Sequence, residues 1–82
     1  MDIGMLWFDN NKEDLLKKID RAANYYNKKY GGLPNLCFVH PQTLNGNPLN
    51  DDGVLKAGKI EVRTSMMVLP HHFWLGIKNK VN

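Results

Sequence analysis

The chain has one cysteine, Cys37, in 82 residues, so no disulfide forms within it and its stability must come from packing. A lone thiol suits a reducing compartment, and a cytoplasmic location is the expectation. No apolar run approaches the ~18 residues of a membrane span, so no membrane partner is expected. Met1-Asp2-Ile3-Gly4 lacks the basic opening of a secretory signal, and the apolar run that follows ends at Asp9. Glycine is missing where phosphate loops carry it, because Gly31-Gly32 follows the one long helical pattern instead of preceding it. Nucleophile-elbow, kinase and zincin motifs are missing too. Internal repeats and low-complexity tracts are also lacking. These absences leave a non-catalytic domain without a cofactor as the expectation.

The length makes one small domain, residues 1–82, that buries only about 60–65% of the surface its unfolded form would expose. Small domains often gain further burial from a metal or a partner subunit. Apolar residues form 43% of the chain, too many for a disordered segment. Net charge is +3, and Lys12, Lys17, Lys18, Arg21, Lys28 and Lys29 supply more than half of the eleven bases. That bias is a faint nucleic-acid footprint. Helix electrostatics explain it equally well. Asp9, Glu13 and Asp14 sit at the positive end of a helix dipole, Lys28 and Lys29 at the negative end. Glu13–Lys17 and Asp14–Lys18 are i,i+4 pairs in the favourable order. The solvated-face reading is therefore preferred.

The pattern from Asn11 to Tyr30 organises the rest. Leu15, Leu16, Ile19, Ala22, Ala23, Tyr26 and Tyr30 recur at steps of three and four, which stacks them on one stripe of an α-helix. Asn10 or Asn11 is expected to cap the first turn, with Glu13 or Asp14 completing a capping box. Gly31 and Gly32 supply the left-handed stop, and Pro34 forbids continuation. Before the helix, Ile3 to Phe8 reads as a strand, with Ile3, Met5 and Trp7 on one side and Leu6 and Phe8 on the other. After it, Asn35 to His40 reads as a second strand closed by Pro41. Strand, helix and strand with short joints predict a βαβ unit with parallel strands.

Residues 41–59 read as a long irregular loop, with turn clusters at Asn45-Gly46-Asn47-Pro48 and Asn50-Asp51-Asp52-Gly53 and a helical turn at Val54 to Ala57. Their acidic and amide side chains do not match a calcium loop. From Ile60 to Val68 the chain alternates, with Ile60, Val62, Thr64, Met66 and Val68 on one face and Glu61, Arg63, Ser65 and Met67 on the other. Phe73, Leu75 and Ile77 then alternate with Trp74, Gly76 and Lys78. A turn at Leu69-Pro70-His71-His72 would join the two runs into an antiparallel hairpin, setting Val68 opposite Phe73 and Met66 opposite Leu75. Residues 79–82 are expected to fray. The predicted fold is α+β, a two-layer β-α-β-β-β arrangement with one helix on a four-stranded mixed sheet.

One helix covers one sheet face. The other face is expected to gather Met67 and Trp74, with Leu6/Phe8 or Met5/Trp7 beside them and Arg63, His72 and Lys78 as a basic margin. An apolar centre with a polar rim is the form of an interaction surface. The sequence therefore predicts a protein-interaction module that works through this face as a homodimer, with Trp74, Met67, Arg63, His72 and Lys78 as its binding residues. The 41–59 loop folding over the face is the competing arrangement. Nucleic-acid binding is the alternative function, resting on Tyr25, Trp74 and the lysines. A small nuclease or toxin using His71-His72 with Arg63 comes third. Zinc is not expected, because Cys37 and His40 stand three apart on a strand and point to opposite faces.

Overall fold

The computed structural model describes residues 4–44 and 46–78. The expectations for Ile3, for Asn45 and for a frayed 79–82 tail lie outside the described residues. Strand β1 (Gly4–Phe8) leads into helix α1 (Leu15–Tyr30), strand β2 (Leu36–Val39) and a short 3-10 turn (Pro41–Leu44). Strands β3 (Leu55–Ala57), β4 (Ile60–Thr64) and β5 (His72–Gly76) complete one five-stranded sheet, in the order β1-β5-β2-β4-β3. The fold is α+β, with one helix packed on a mixed sheet. It differs from the expectation by one strand and in strand order.

The helix forms where its apolar period is continuous. Leu15, Ile19, Ala22, Ala23 and Tyr26 are buried against Met5, Cys37, Val39, Ile60, Val62, Phe73 and Leu75. Gly31 ends the helix in the left-handed region (φ 77°), its N–H donating to the Asn27 carbonyl at 2.8 Å, as its missing Cβ allows. The start differs from expectation. Asp14 stands at the N-cap without a side-chain capping bond. Asn11 Oδ1 instead accepts from the Glu13 N–H at 2.9 Å, in a turn ahead of the helix. Glu13 reaches Arg21, two turns along, in place of Lys17. Tyr30 is exposed and stacks on Tyr26, with centroids 4.6 Å apart, while Lys18 takes an unexpected buried place on the stripe.

β1 and β2 run in the same direction but do not touch. β5 lies between them, antiparallel to both, with Leu75 opposite Met5 on one side and Cys37 on the other. β2 pairs in parallel with β4. The expected β4–β5 hairpin is therefore replaced, and Val68–Phe73 and Met66–Leu75 are not cross-strand pairs. β4 ends at Thr64, and residues 65–71 form the connection that carries the chain past β2. Alternation marks which side chains face the helix, and it is the same whichever strand lies alongside. Val54 to Ala57 is not a helical turn, since Leu55–Ala57 pairs antiparallel with β4 as an edge strand. The remaining tie is polar: Asp9 N–H donates to the His71 carbonyl at 2.9 Å, and Arg21 holds the Asp9 carboxylate at 3.2 Å.

Ile19 is 1% exposed whereas Lys17 faces solvent. Ile19→Ala should cost about 2–4 kcal/mol of unfolding free energy, and Lys17→Ala less than about 0.5 kcal/mol. Urea unfolding of both variants checks the helix face, and equal losses would contradict it.

Candidate functional site: the open face of the sheet

Side chains of even number on β1, β2 and β5, and of odd number on β4, face away from α1. The registers align them in one row, Leu6–Trp74–Phe38–Arg63, and set Phe8 beside His72. Of the two apolar sets offered by the first strand, Leu6/Phe8 is the one on this face, because Met5 lies under the helix and Trp7 packs against Tyr25 with centroids 5.0 Å apart. Trp74 and Phe38 stack at 6.0 Å, and Phe8 and His72 at 5.0 Å, both tilted. Such tilted pairs suit the ring quadrupoles and add about 0.5–1.5 kcal/mol beyond burial.

A groove of about 310 Å³ opens along this row, floored by Leu6, Phe38 and Trp74 and walled by Met67, Leu69 and His72. Met67 is not opposite Trp74 on a neighbouring strand, as the hairpin required. It comes to the groove from the 65–71 connection and is 91% exposed. Leu6, Phe8 and Leu69 are all more than half exposed around it. The floor depends on a missing side chain. The indole of Trp74 lies across Gly4, where an added Cβ would fall 2.1 Å from two ring carbons.

The other end of the same face is closed. Continuing the β3 register by one residue sets Val54 opposite Arg63, and both Val54 and Leu36 are buried. The Asn50 N–H donates to the Val54 carbonyl at 2.8 Å, tying the local turn. Residues 50–57 thus belong to the β3 side, and no described residue of 41–59 lines the groove.

The expected basic margin is spent locally. Glu61 accepts from Lys78 Nζ at 3.0 Å and lies 3.9 Å from Arg63. The Lys78 hydrogen bond holds the Glu61 carboxyl below its ordinary range, with the Arg63 and Lys56 charges acting the same way. His72 stays on the apolar side, its Nδ1 3.0 Å from the Pro70 carbonyl oxygen. His71 departs from it with φ 66° and lines a different cavity. The two histidines and Arg63 are therefore not gathered at one point. Tyr25 belongs to the helix side and shares no platform with Trp74.

Cys37 lies under α1 and is wholly buried, while His40 sits beyond the strand end with Nδ1 accepting from the Gln42 N–H at 3.0 Å. Burial pushes the Cys37 thiol from 9.0 up to about 12. Among the described residues no group of three His, Cys, Asp or Glu side chains converges as a metal site would need. No described helix is long and apolar enough to cross a membrane. Sequence reasoning missed the contribution of Phe38 and Leu69 to the groove. Phe38 was legible from strand alternation, but Leu69 was hidden by the assumed turn.

Two outcomes follow from this geometry. Gly4→Ala should destabilise the fold by about 1–3 kcal/mol through overpacking, and by much less in a Trp74→Ala background. A double-mutant cycle by urea unfolding reads the coupling, and additive losses would mean that the indole does not rest on Gly4. For Cys37, the folded state keeps a proton that the unfolded state releases. The stability from this group should be complete below about pH 9 and fall as pH rises from about 9 towards 12. Cys37→Ala should flatten that part of the urea-midpoint profile, and the native thiol should resist a disulfide reagent at pH 8.

Comparisons with protein-family models, curated proteins and solved structures find no match to this chain, so what its open face does has to be argued from the geometry above.

Proposed function

We propose that this protein is a non-catalytic interaction module whose open sheet face binds a second copy of the same chain. The carrying observation is the placement of its exposed apolar residues. Leu6, Phe8, Met67 and Leu69 are exposed on one half of the open face, while Leu36 and Val54 on the half beside β3 are buried. Monomeric surfaces seldom keep so concentrated an apolar patch. A second copy suits it because the patch carries both parts of a fit. Met67 and Leu69 project as exposed apolar knobs beside a groove floored by Trp74, Phe38 and Leu6. Under two-fold symmetry a patch meets itself, so the knobs of each protomer face the groove of the other. Methionine adapts to such gaps and gains from contact with an aromatic ring.

Nucleic-acid binding has less support. Stacking platforms hold strands with free cations beside the rings, and here Arg63 and Lys78 both attend Glu61. Sedimentation of the full chain across a concentration series tests the reading. A dimer is expected, with Trp74→Ala weakening it by about 2 kcal/mol or more, as a buried aromatic anchor does. That is roughly a thirty-fold rise in Kd. Met67→Asp should abolish the dimer without unfolding the protomer, because that side chain is 91% exposed. A monomer at every concentration would overturn the proposal, and quenching of its tryptophan by single-stranded nucleic acid would favour the alternative.

A further inference from the structure

A second cavity lies where β1, β2 and β4 end and α1 begins, apart from the apolar groove. It measures about 300 Å³, and Lys12, Glu13, Lys18, Gln42, Thr43 and His71 are among its lining residues. Lys18 is its unusual member. The residue is 9% exposed, with its stem on the buried stripe of α1, yet its ammonium makes no ion pair or hydrogen bond among the described residues. The burial falls on the stem, because the ammonium nitrogen is not among the buried side-chain atoms that lack a partner. A lysine stem usually runs along apolar surface and delivers the charge at its end. Here that end is the crevice.

The surroundings favour an anion. The crevice adjoins the positive end of α1, whose N-cap Asp14 makes no side-chain capping bond. Asp14 itself has no ion pair among the described residues, whereas Arg21 binds both Asp9 and Glu13. Those pairs raise the Arg21 guanidinium above its ordinary value, with Glu13 the larger cause. Thr43 and His71 are locked together, the His71 N–H donating to Thr43 Oγ1 at 3.1 Å. With that oxygen accepting, the Thr43 hydroxyl proton is still free to donate.

We propose that this crevice binds the phosphate of a small phosphomonoester. Lys18 and Lys12 match the two charges of a monoester, and Thr43, Gln42 and His71 supply further donors around it. Lysine acts as a point charge and suits a tetrahedral anion, whereas planar carboxylates select an arginine fork. The only arginine at this end is Arg21, which is committed to Asp9 and Glu13. The site is separate from the Trp74 groove, and its occupancy does not depend on self-association.

Amide and lysine side-chain NMR shifts of the full chain, followed against inorganic phosphate, phenyl phosphate and dimethyl phosphate, test the assignment. The first two should give saturable shifts at residues 10–18, 42–43 and 71. The diester should bind at least about ten-fold more weakly, since it carries half the charge. Lys18→Met keeps the apolar stem and should weaken phenyl phosphate at least about ten-fold. Lys12→Ala, at an exposed position, should weaken it severalfold and serves if Lys18→Met does not fold. Trp74→Ala and Lys28→Ala should leave the affinity unchanged. Equal binding of the diester would assign the crevice to a nucleic-acid backbone and overturn the monoester reading. Shifts that do not saturate, or that centre on Lys28 and Lys29, would overturn the site altogether.

Discussion

Insertion of β5 between β1 and β2 is the constraint on which the rest of this structure depends. Phe73 and Leu75 are wholly buried at the centre of the sheet, beneath α1. Each is hydrogen-bond neighbour to strands on both sides, so the first strand joins the sheet only through the last. Pairing of this kind closes long stretches of chain before it is rewarded, and it makes the sheet cooperative from end to end. The crossover helix then covers a sheet wider than itself, and its stripe of small residues, Ala22 and Ala23, lets it approach closely.

The same insertion creates both candidate sites. With β5 in the middle, Trp74 stands between Leu6 and Phe38 instead of at a sheet edge, and aromatic and aliphatic side chains meet across three strands. The chain must also cross from the end of β4 to the start of β5, passing β2. That passage places Met67 and Leu69 over the open face and His71 at the polar end. Consecutive residues His71 and His72 thus serve different environments, one against Thr43 and the other against Phe8. The positive φ of His71 is where the chain turns from one to the other. Conformations of this kind cost about 1–2 kcal/mol and persist where the surroundings over-determine them, as the bonds from Asp9 and to Thr43 do here.

Electrostatics follow the packing. Arg21 gathers Asp9 and Glu13, and Glu61 gathers Lys78 and Arg63. Each of these pairs has an exposed member, so each adds little to stability. Their larger effect is on which charges remain available. The first cluster leaves Lys18 as a cation without a partner among the described residues, beside a polar crevice, and the second removes basic charge from the margin of the apolar face.

Much of the fold was legible because its signals are local. The helix announced itself through Leu15, Ile19, Ala22, Ala23 and Tyr26, and its stop through Gly31, since both depend on residues within a turn or two. Strands β4 and β5 were legible by alternation and β1 and β2 as short apolar runs, but β3 read as a helical turn; the division of Ile60, Val62, Phe73 and Leu75 from Glu61, Arg63 and Trp74 was legible too. Strand neighbours were not legible. Alternation reports which face is buried, but the choice between β4 and β2 as partner for β5 rests on contacts far apart in sequence. Lys18 reads as a solvated i,i+4 partner, yet tertiary packing buried its stem and drew Glu13 to Arg21. The sequence by itself determined the helix, four of the five strands and their apolar faces, which are fixed by short-range periodicity and backbone chemistry. Tertiary structure alone decided the strand order, and with it which exposed residues of separate segments share a surface.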